Sequence, residues 1–215
     1  MEIERVDTQR AYERVLEKIA RLELPPGSAI NDQKLAEELD MALTPVQEAL
    51  KQLAHDHLVR VTPSHGLYVA DVNVPDLQQL SELRLGLESL AARLAAERAT
   101  DDDLIVLEAL RLEQTAGTSD DPRQLFDLDH KFHRAIAQAA GNKYLAQMLD
   151  VFYGLSLRLW YLVLPHLEFL PGAVSKHLDI VDAVRKGDAD AAERVMREHV
   201  AEFYDKVRDA LESRQ

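Results

Sequence analysis

The sequence has no cysteine, which excludes disulfides and thiolate metal sites; any metal must be held by nitrogen and oxygen. It has no apolar run approaching the roughly 18 residues that cross a bilayer. The opening MEIERVDTQR has no signal-peptide core, so a cytoplasmic protein without membrane association is expected. Positive charge is scarce: 25 Lys and Arg face 38 Asp and Glu, for a net charge of −13. Residues 1–74 repeat the imbalance, with eight cations against thirteen acids. Counterion-release binding needs clustered cations, so charge alone argues against a generic nucleic-acid binder. Nucleophile motifs, phosphate-binding loops and internal repeats are also missing.

What the sequence does contain is helical periodicity. Hydrophobic content of 47% over 215 residues suits one large domain or two modest ones, each with its own core. Within Thr8–Leu22, Tyr12, Val15, Leu16, Ile19 and Ala20 keep the i, i+3, i+4 rhythm until LPPG ends it. A second helix is predicted over Asp32–Leu39, seamed by Leu35, Ala36 and Leu39. A third runs to His55 on Val46, Leu50 and Leu53, with Thr44 as N-cap, Pro45 first in the helix and Gln47 closing a capping box. VRV and LYVADV then flank TPSHG, a hairpin signal with Gly66 in the turn. Three helices and a hairpin predict a winged helix-turn-helix over residues 1–72.

Residues 73–215 read as helical throughout. Helices are predicted over Asp76–Arg98, Asp101–Thr115, Pro122–Ala140, Lys143–Leu164, Val174–Lys186 and Asp188–Ser213, separated by stop and start signals such as Gly141-Asn142 and Gly187-Asp188. The expected fold is therefore mostly α: an N-terminal winged helix-turn-helix and a C-terminal all-α helical bundle.

Within this bundle Asp129 and His133, four residues apart, differ by about 40° around a helix and edge the stripe of Leu125, Leu128, Phe132 and Ile136. His130 points further out. His177 lies in the stripe of Val174, Ile180, Val181 and Val184, and His199 in that of Ala192, Val195, Met196 and Phe203. Burying these polar groups unpartnered costs a few kcal/mol each. One divalent cation at their meeting point would satisfy all four, and the donor set suits Zn²⁺, Ni²⁺, Mn²⁺ or Fe²⁺. Hydrogen-bonded core histidines are the alternative, because face arithmetic does not bring three helices to one point. Arg84 and Glu88 also face inward, among Leu77, Leu80, Leu87 and Ala91. Either Glu88 pairs with Arg84 in cis, or Arg84 clamps the carboxylate of a small organic acid. Arg158 falls on the outward face of its helix.

With these motifs in hand, the chain resembles the GntR-family transcription regulators of the FadR-like subgroup, which carry an FCD-type effector domain. The likeness rests on LPPGSAINDQKLAEELDMALTPVQEALKQLAHDHLV and TPSHGLYV, then on ELRLGLESLAARLAAERAT, LDHKFHRAIAQAAGNKYL and SKHLDIVDAVRKGDADAAERVMREHV. It implies a metal held by Asp129, His133, His177 and His199, with zinc the first expectation. It also implies a homodimer and a small carboxylate effector at the metal, with Arg84, and Glu88 beside it, at the effector site. The recognition motif departs from the family's usual Gly-Val-Ser-Arg-Thr-Pro-Val-Arg-Glu-Ala-Leu: Asp40 replaces Gly, Ala42 replaces Ser, and Leu43 and Gln47 replace the two arginines. In the wing, His65 stands where an arginine usually precedes Gly66.

The expected function is a ligand- and metal-responsive regulator binding an operator in duplex DNA. Gln47 is the candidate base contact, with Thr44, Lys51, His65 and Gly66 toward the backbone. Two alternatives stand beside it: a metabolite and metal sensor with weak or partner-dependent DNA binding, and a metal-dependent enzyme acting on organic acids.

Overall fold

The computed structural model describes the backbone of residues 2–63, 66–71, 75–116, 122–163 and 176–212. Two compact units divide the chain: residues 1–73 with 154–161, and residues 74–153 with 162–215.

The first unit opens with α1 (Glu2–Ala20), α2 (Asp32–Leu39) and α3 (Leu43–His55). Helix α1 starts earlier than its apolar rhythm suggests and ends two residues sooner. Leu22 there takes a left-handed φ of 58°. Three strands complete the unit: β1 (Ala29–Ile30), between α1 and α2, then β2 (Val59–Thr62) and β3 (Gly66–Val69) after α3. They form an antiparallel sheet in the order β1-β3-β2, with Ile30 opposite Leu67 and Val61 also opposite Leu67. The wing hairpin matches the predicted β2–β3 pair, although β3 stops at Val69. Strand β1 was not expected, because two residues carry no periodicity. It exists because β3 has a second edge to fill.

The core of this unit is the apolar seam read from the sequence: Val15 and Ile19 of α1 meet Leu35 and Leu39 of α2 and Val46, Leu50 and Leu53 of α3, all buried. Two polar ties fix the helices. Arg14 Nη1 donates to the carbonyl of Leu39, an end-of-helix acceptor, at 2.5 Å. Tyr12 Oη donates to Asp56 Oδ2 at 2.8 Å. Asp40, at the C-cap of α2, has φ 51° and ψ 50°, and its N–H closes onto Ala36 and Glu37. A left-handed residue is what the family's glycine supplies at this position, and a short polar side chain is the next most tolerant choice.

The capping box expected at α3 is not formed. The helix begins two residues earlier, at Leu43, with Ala42 as N-cap and no side-chain cap bond. That shift moves Gln47 out of capping reach, and its Nε2 donates instead to Asp32 Oδ2 at 2.6 Å. Pro45 becomes the third helical residue, still inside the turn whose N–H groups lack intrahelical partners.

The second unit contains α4 (Pro75–Arg98), α5 (Asp101–Ala116), α6 (Pro122–Ala139), α8 (His177–Arg185) and α9 (Ala189–Glu212), together with part of α7 (Lys143–Val163). Val174, Leu164 and Ser213, placed in helices by the sequence reading, lie outside the described residues. Helix α4 packs chiefly along α9, and α6 packs against α4 and α5. Arg93 Nη1 joins α4 to the start of α9 through Asp190 at 2.6 Å and Glu193 at 3.0 Å. Arg158, expected to face outward, is buried, with Nη1 donating to the carbonyl of Ala70 at 3.2 Å. Its helix segment belongs to the first unit, so the face judged solvent-exposed from periodicity is covered.

Leu53 is fully buried at the centre of the first core. Leu53→Ala is expected to destabilise that unit by about 2–5 kcal/mol, read as a lower urea midpoint for the first unfolding transition.

Candidate functional site

Three helices bring four buried side chains to one point inside the second unit. Helix α6 supplies Asp129 and His133 from one face, α8 opens on His177, and α9 supplies His199. One ligand atom from each lies within 4.8 Å of the others. His199 Nε2 is 3.2 Å from both His133 Nε2 and His177 Nε2. Asp129 Oδ1 is 3.5 Å from His133 Nε2 and 3.4 Å from His177 Nε2. Three imidazole nitrogens facing one another cannot all be satisfied by protons, since each shared proton serves one pair. A cation bound at about 2.0–2.1 Å in tetrahedral array separates its ligand atoms by about 3.3 Å, close to the spacing seen here. The donor set fits a divalent metal.

Surrounding groups hold the ligands in place. Tyr153 Oη donates to Asp129 Oδ2 at 3.0 Å, leaving Oδ1 toward the histidines. The Gln114 carboxamide lies 2.9 Å from His177 Nδ1. With its oxygen turned to the ring it accepts the Nδ1 proton, satisfies an otherwise unpartnered buried oxygen and keeps the Nε2 lone pair on the cluster. The Phe132 ring stacks on His177 at 3.8 Å. On the other side, Glu88 contacts His133 Nδ1 through Oε2 and Arg84 through Oε1, with Arg84 Nε at 2.5 Å. Arg84 Nη1 donates to Tyr204 Oη at 3.3 Å. Of the two readings of Arg84, the cis pair with Glu88 is therefore formed. A cavity of about 10 Å³ beside Glu88, His130, His133 and Tyr153 has room for about one water.

The charges alternate along this chain, and the titration behaviour follows. Burial pushes Asp129 up, but the neighbouring His133 and His177 outweigh it and hold the carboxyl well below its usual range. Burial likewise opposes the charge on His133, yet Glu88 and Asp129 raise it to about 9. Burial lowers His177 and His199, the latter helped by the other two histidines. His130, half-buried and stacked on Tyr153 at 4.2 Å, falls to about 4 through burial and the Arg134 charge.

In the first unit, Thr44 and Lys51 are exposed on α3, Lys51 Nζ lying 2.7 Å from Glu48 Oε1. Gln47 is half-buried against Asp32. Gly66 is exposed at φ 98°, a backbone that favours glycine. His65 lies outside the described residues. Sequence reasoning did not single out Asp32, Gln114, Tyr153 or Tyr204, each of which serves a residue distant in the chain and shows no local signal.

A winged helix-turn-helix with a helical domain built around a metal-ligand cluster defines a class of DNA-binding regulators. The sequence matches the FCD domain over residues 79–202 and the bacterial regulatory proteins of the gntR family over residues 7–69. It is 27% identical over 201 residues to the HTH-type transcriptional repressor RspR of Escherichia coli K12, covering 93% of this chain and 88% of that one. It is 31% identical over 210 residues to an HTH-type transcriptional regulator in an unstable DNA locus of Streptomyces ambofaciens, covering 94% and 86%. The solved structure of E. coli McbR/YncC has the same fold, with a TM-score of 0.79 at 23% identity over 94% of this chain and 96% of that one. The chain belongs to the GntR family of bacterial transcription regulators and carries an FCD domain. It is a regulator and not an enzyme, like its relatives. Among the described residues no helix is long and apolar enough to cross a membrane.

The raised His133 value has a consequence for stability. A proton held more tightly in the folded state stabilises fully below the unfolded value of about 6.5, and that contribution is lost as pH rises through about 9. Metal-free protein is expected to lose up to about 3 kcal/mol across this window, measured by denaturation at several pH values, with His133→Asn flattening the decline.

Proposed function

We propose that this regulator couples its affinity for an operator to occupation of the Asp129, His133, His177 and His199 cluster by a divalent cation, zinc first, with nickel, manganese or iron as alternatives. The observation that carries the reading is the convergence of three imidazole Nε2 atoms and one carboxylate oxygen on one buried point. A bound cation would supply positive charge and, on expanding beyond its four protein ligands, a coordination position for an anionic effector. Arg84 and Glu88 complete the site: a small organic acid would take the Arg84 guanidinium from Glu88, exchanging one carboxylate partner for another. With the present cavity of about 10 Å³, this exchange requires side-chain movement, and movement is what a sensor needs. A homodimer, each protomer presenting α3 to a half-site of duplex DNA, is part of the proposal, as is a cytoplasmic location. Thr44, Gln47, Lys51, His65 and Gly66 form its DNA-facing set.

Elemental analysis of purified protein and calorimetric titration of the stripped protein test the metal. About one ion per chain is expected, with His199→Ala weakening binding by about two orders of magnitude or more. Absence of binding at micromolar protein would overturn it.

The scarcity of cations favours a shallow electrostatic contribution to DNA binding. Lys51 pairs with Glu48, Lys34 with Glu38 and Arg60 with Asp71. Anisotropy titrations across salt concentrations are expected to give a log K against log salt slope of about −2 to −4 for a dimer. No binding with or without metal would favour the sensor that reads DNA weakly or through a partner protein.

A further inference from the structure

We propose that Asp32 and Gln47 act together as the base-reading element of this winged helix, Asp32 orienting the Gln47 carboxamide so that it selects adenine in the major groove. The proposal rests on the reading of α3 as the recognition helix and deepens it.

Asp32 is the first residue of α2, and its carboxylate is fixed at both oxygens. Oδ1 accepts the backbone N–H of Gln33 at 3.0 Å, and Oδ2 accepts Gln47 Nε2 at 2.6 Å. An ionised carboxylate has no proton to give, so the amide can only turn its nitrogen toward Asp32. That settles which end of the side chain faces which way, a choice that a free amide leaves open because its terminal torsion is nearly two-fold. One N–H is used by Asp32. With Asp32 on the N–H anti to Oε1, the syn N–H and Oε1 stay side by side on the free edge, one donor beside one acceptor.

Adenine presents the complement in the major groove, an N7 acceptor beside an N6 donor. Guanine presents two acceptors, N7 and O6, and would set O6 against Oε1. The carboxylate of Asp32 adds to the bias, since a fixed negative charge beside the reader disfavours acceptor-rich edges. The rest of the first turns of α3 competes little: Ala42 and Leu43 have no hydrogen-bonding side chain, and Lys51 is engaged by Glu48. The aspartate thus converts an amide of ambiguous polarity into a directional one.

The test is enrichment of duplexes from a randomised pool by the full-length protein, comparing wild type with Asp32→Asn, Asp32→Ala and Gln47→Ala. Wild type is expected to prefer adenine over guanine by about tenfold or more at one position of each half-site. Asp32→Asn, whose amide donates or accepts equally well, is expected to cut that preference to within about threefold while leaving the other positions unchanged. Asp32→Ala is expected to do the same. A uniform loss at every position in both Asp32 variants would make the residue merely structural and overturn the proposal. If Gln47→Ala abolishes the adenine preference and neither Asp32 variant alters it, the orienting role fails while the reading helix stands. An unchanged selected sequence in Gln47→Ala overturns the base contact itself. Failure of wild type to enrich any sequence removes the recognition-helix reading and the proposal with it.

Discussion

A line of alternating charges runs through the interior of the helical unit: Arg84, Glu88, His133 and Asp129, each within ion-pairing distance of the next. Isolated, any one of these ions would be too costly to bury, and in sequence they neutralise one another. The arrangement ties α4 to α6 electrostatically, while His177 and His199 bring α8 and α9 to the same point. Removing one member leaves an uncompensated charge for its neighbours, which makes the line a constraint on everything packed around it. Tyr153 and Tyr204 partner that line through Asp129 and Arg84, and Gln114 partners His177 beside it.

The same line gives the proposed sensing function a place in the folding core. His133 holds a proton between two carboxylates in the metal-free protein, and under the proposed function a cation at the cluster would take over the proton's electrostatic role. Arg84 is held by a carboxylate on its own helix, so the proposed carboxylate effector would meet a guanidinium already shaped for its chemistry. Such an effector and Glu88 would be chemically equivalent partners for Arg84, which would make exchange between them inexpensive compared with breaking the pair outright.

In the reading head the constraint is the absence of guanidinium groups on α3. The packing of α1, α2 and α3 is that of an ordinary winged helix-turn-helix, with the buried leucine seam intact. Binding strength and base selection are separable properties in such a domain, because phosphate contacts position the protein and base contacts specify the site. Under the proposal, the Gln47 amide anchored by Asp32 would belong to the second category. The scaffold for docking in a groove is retained, and the chemistry at its surface has been altered.

The helices and the hairpin were legible from periodicity and punctuation, since the burial that stabilises each element also writes a repeat into its residues. The metal-ligand candidates were legible as polar residues on apolar faces. Convergence of His177 and His199 on Asp129 was not, because a helical wheel reports direction and not position. Errors fell where a local signal had a tertiary competitor. Thr44 and Gln47 spelled a capping box, yet Asp32 offered Gln47 a charged acceptor and α3 began two residues early. Arg158 looked solvent-facing until its helix segment was covered within the first unit. Strand β1 was too short to show a pattern. The sequence by itself determined the apolar seams of the helices and which side chains could ligate a metal, because both follow from the spacing of residues along one element. Only the tertiary structure decided which polar group answers which, since that depends on distances between residues far apart in the chain.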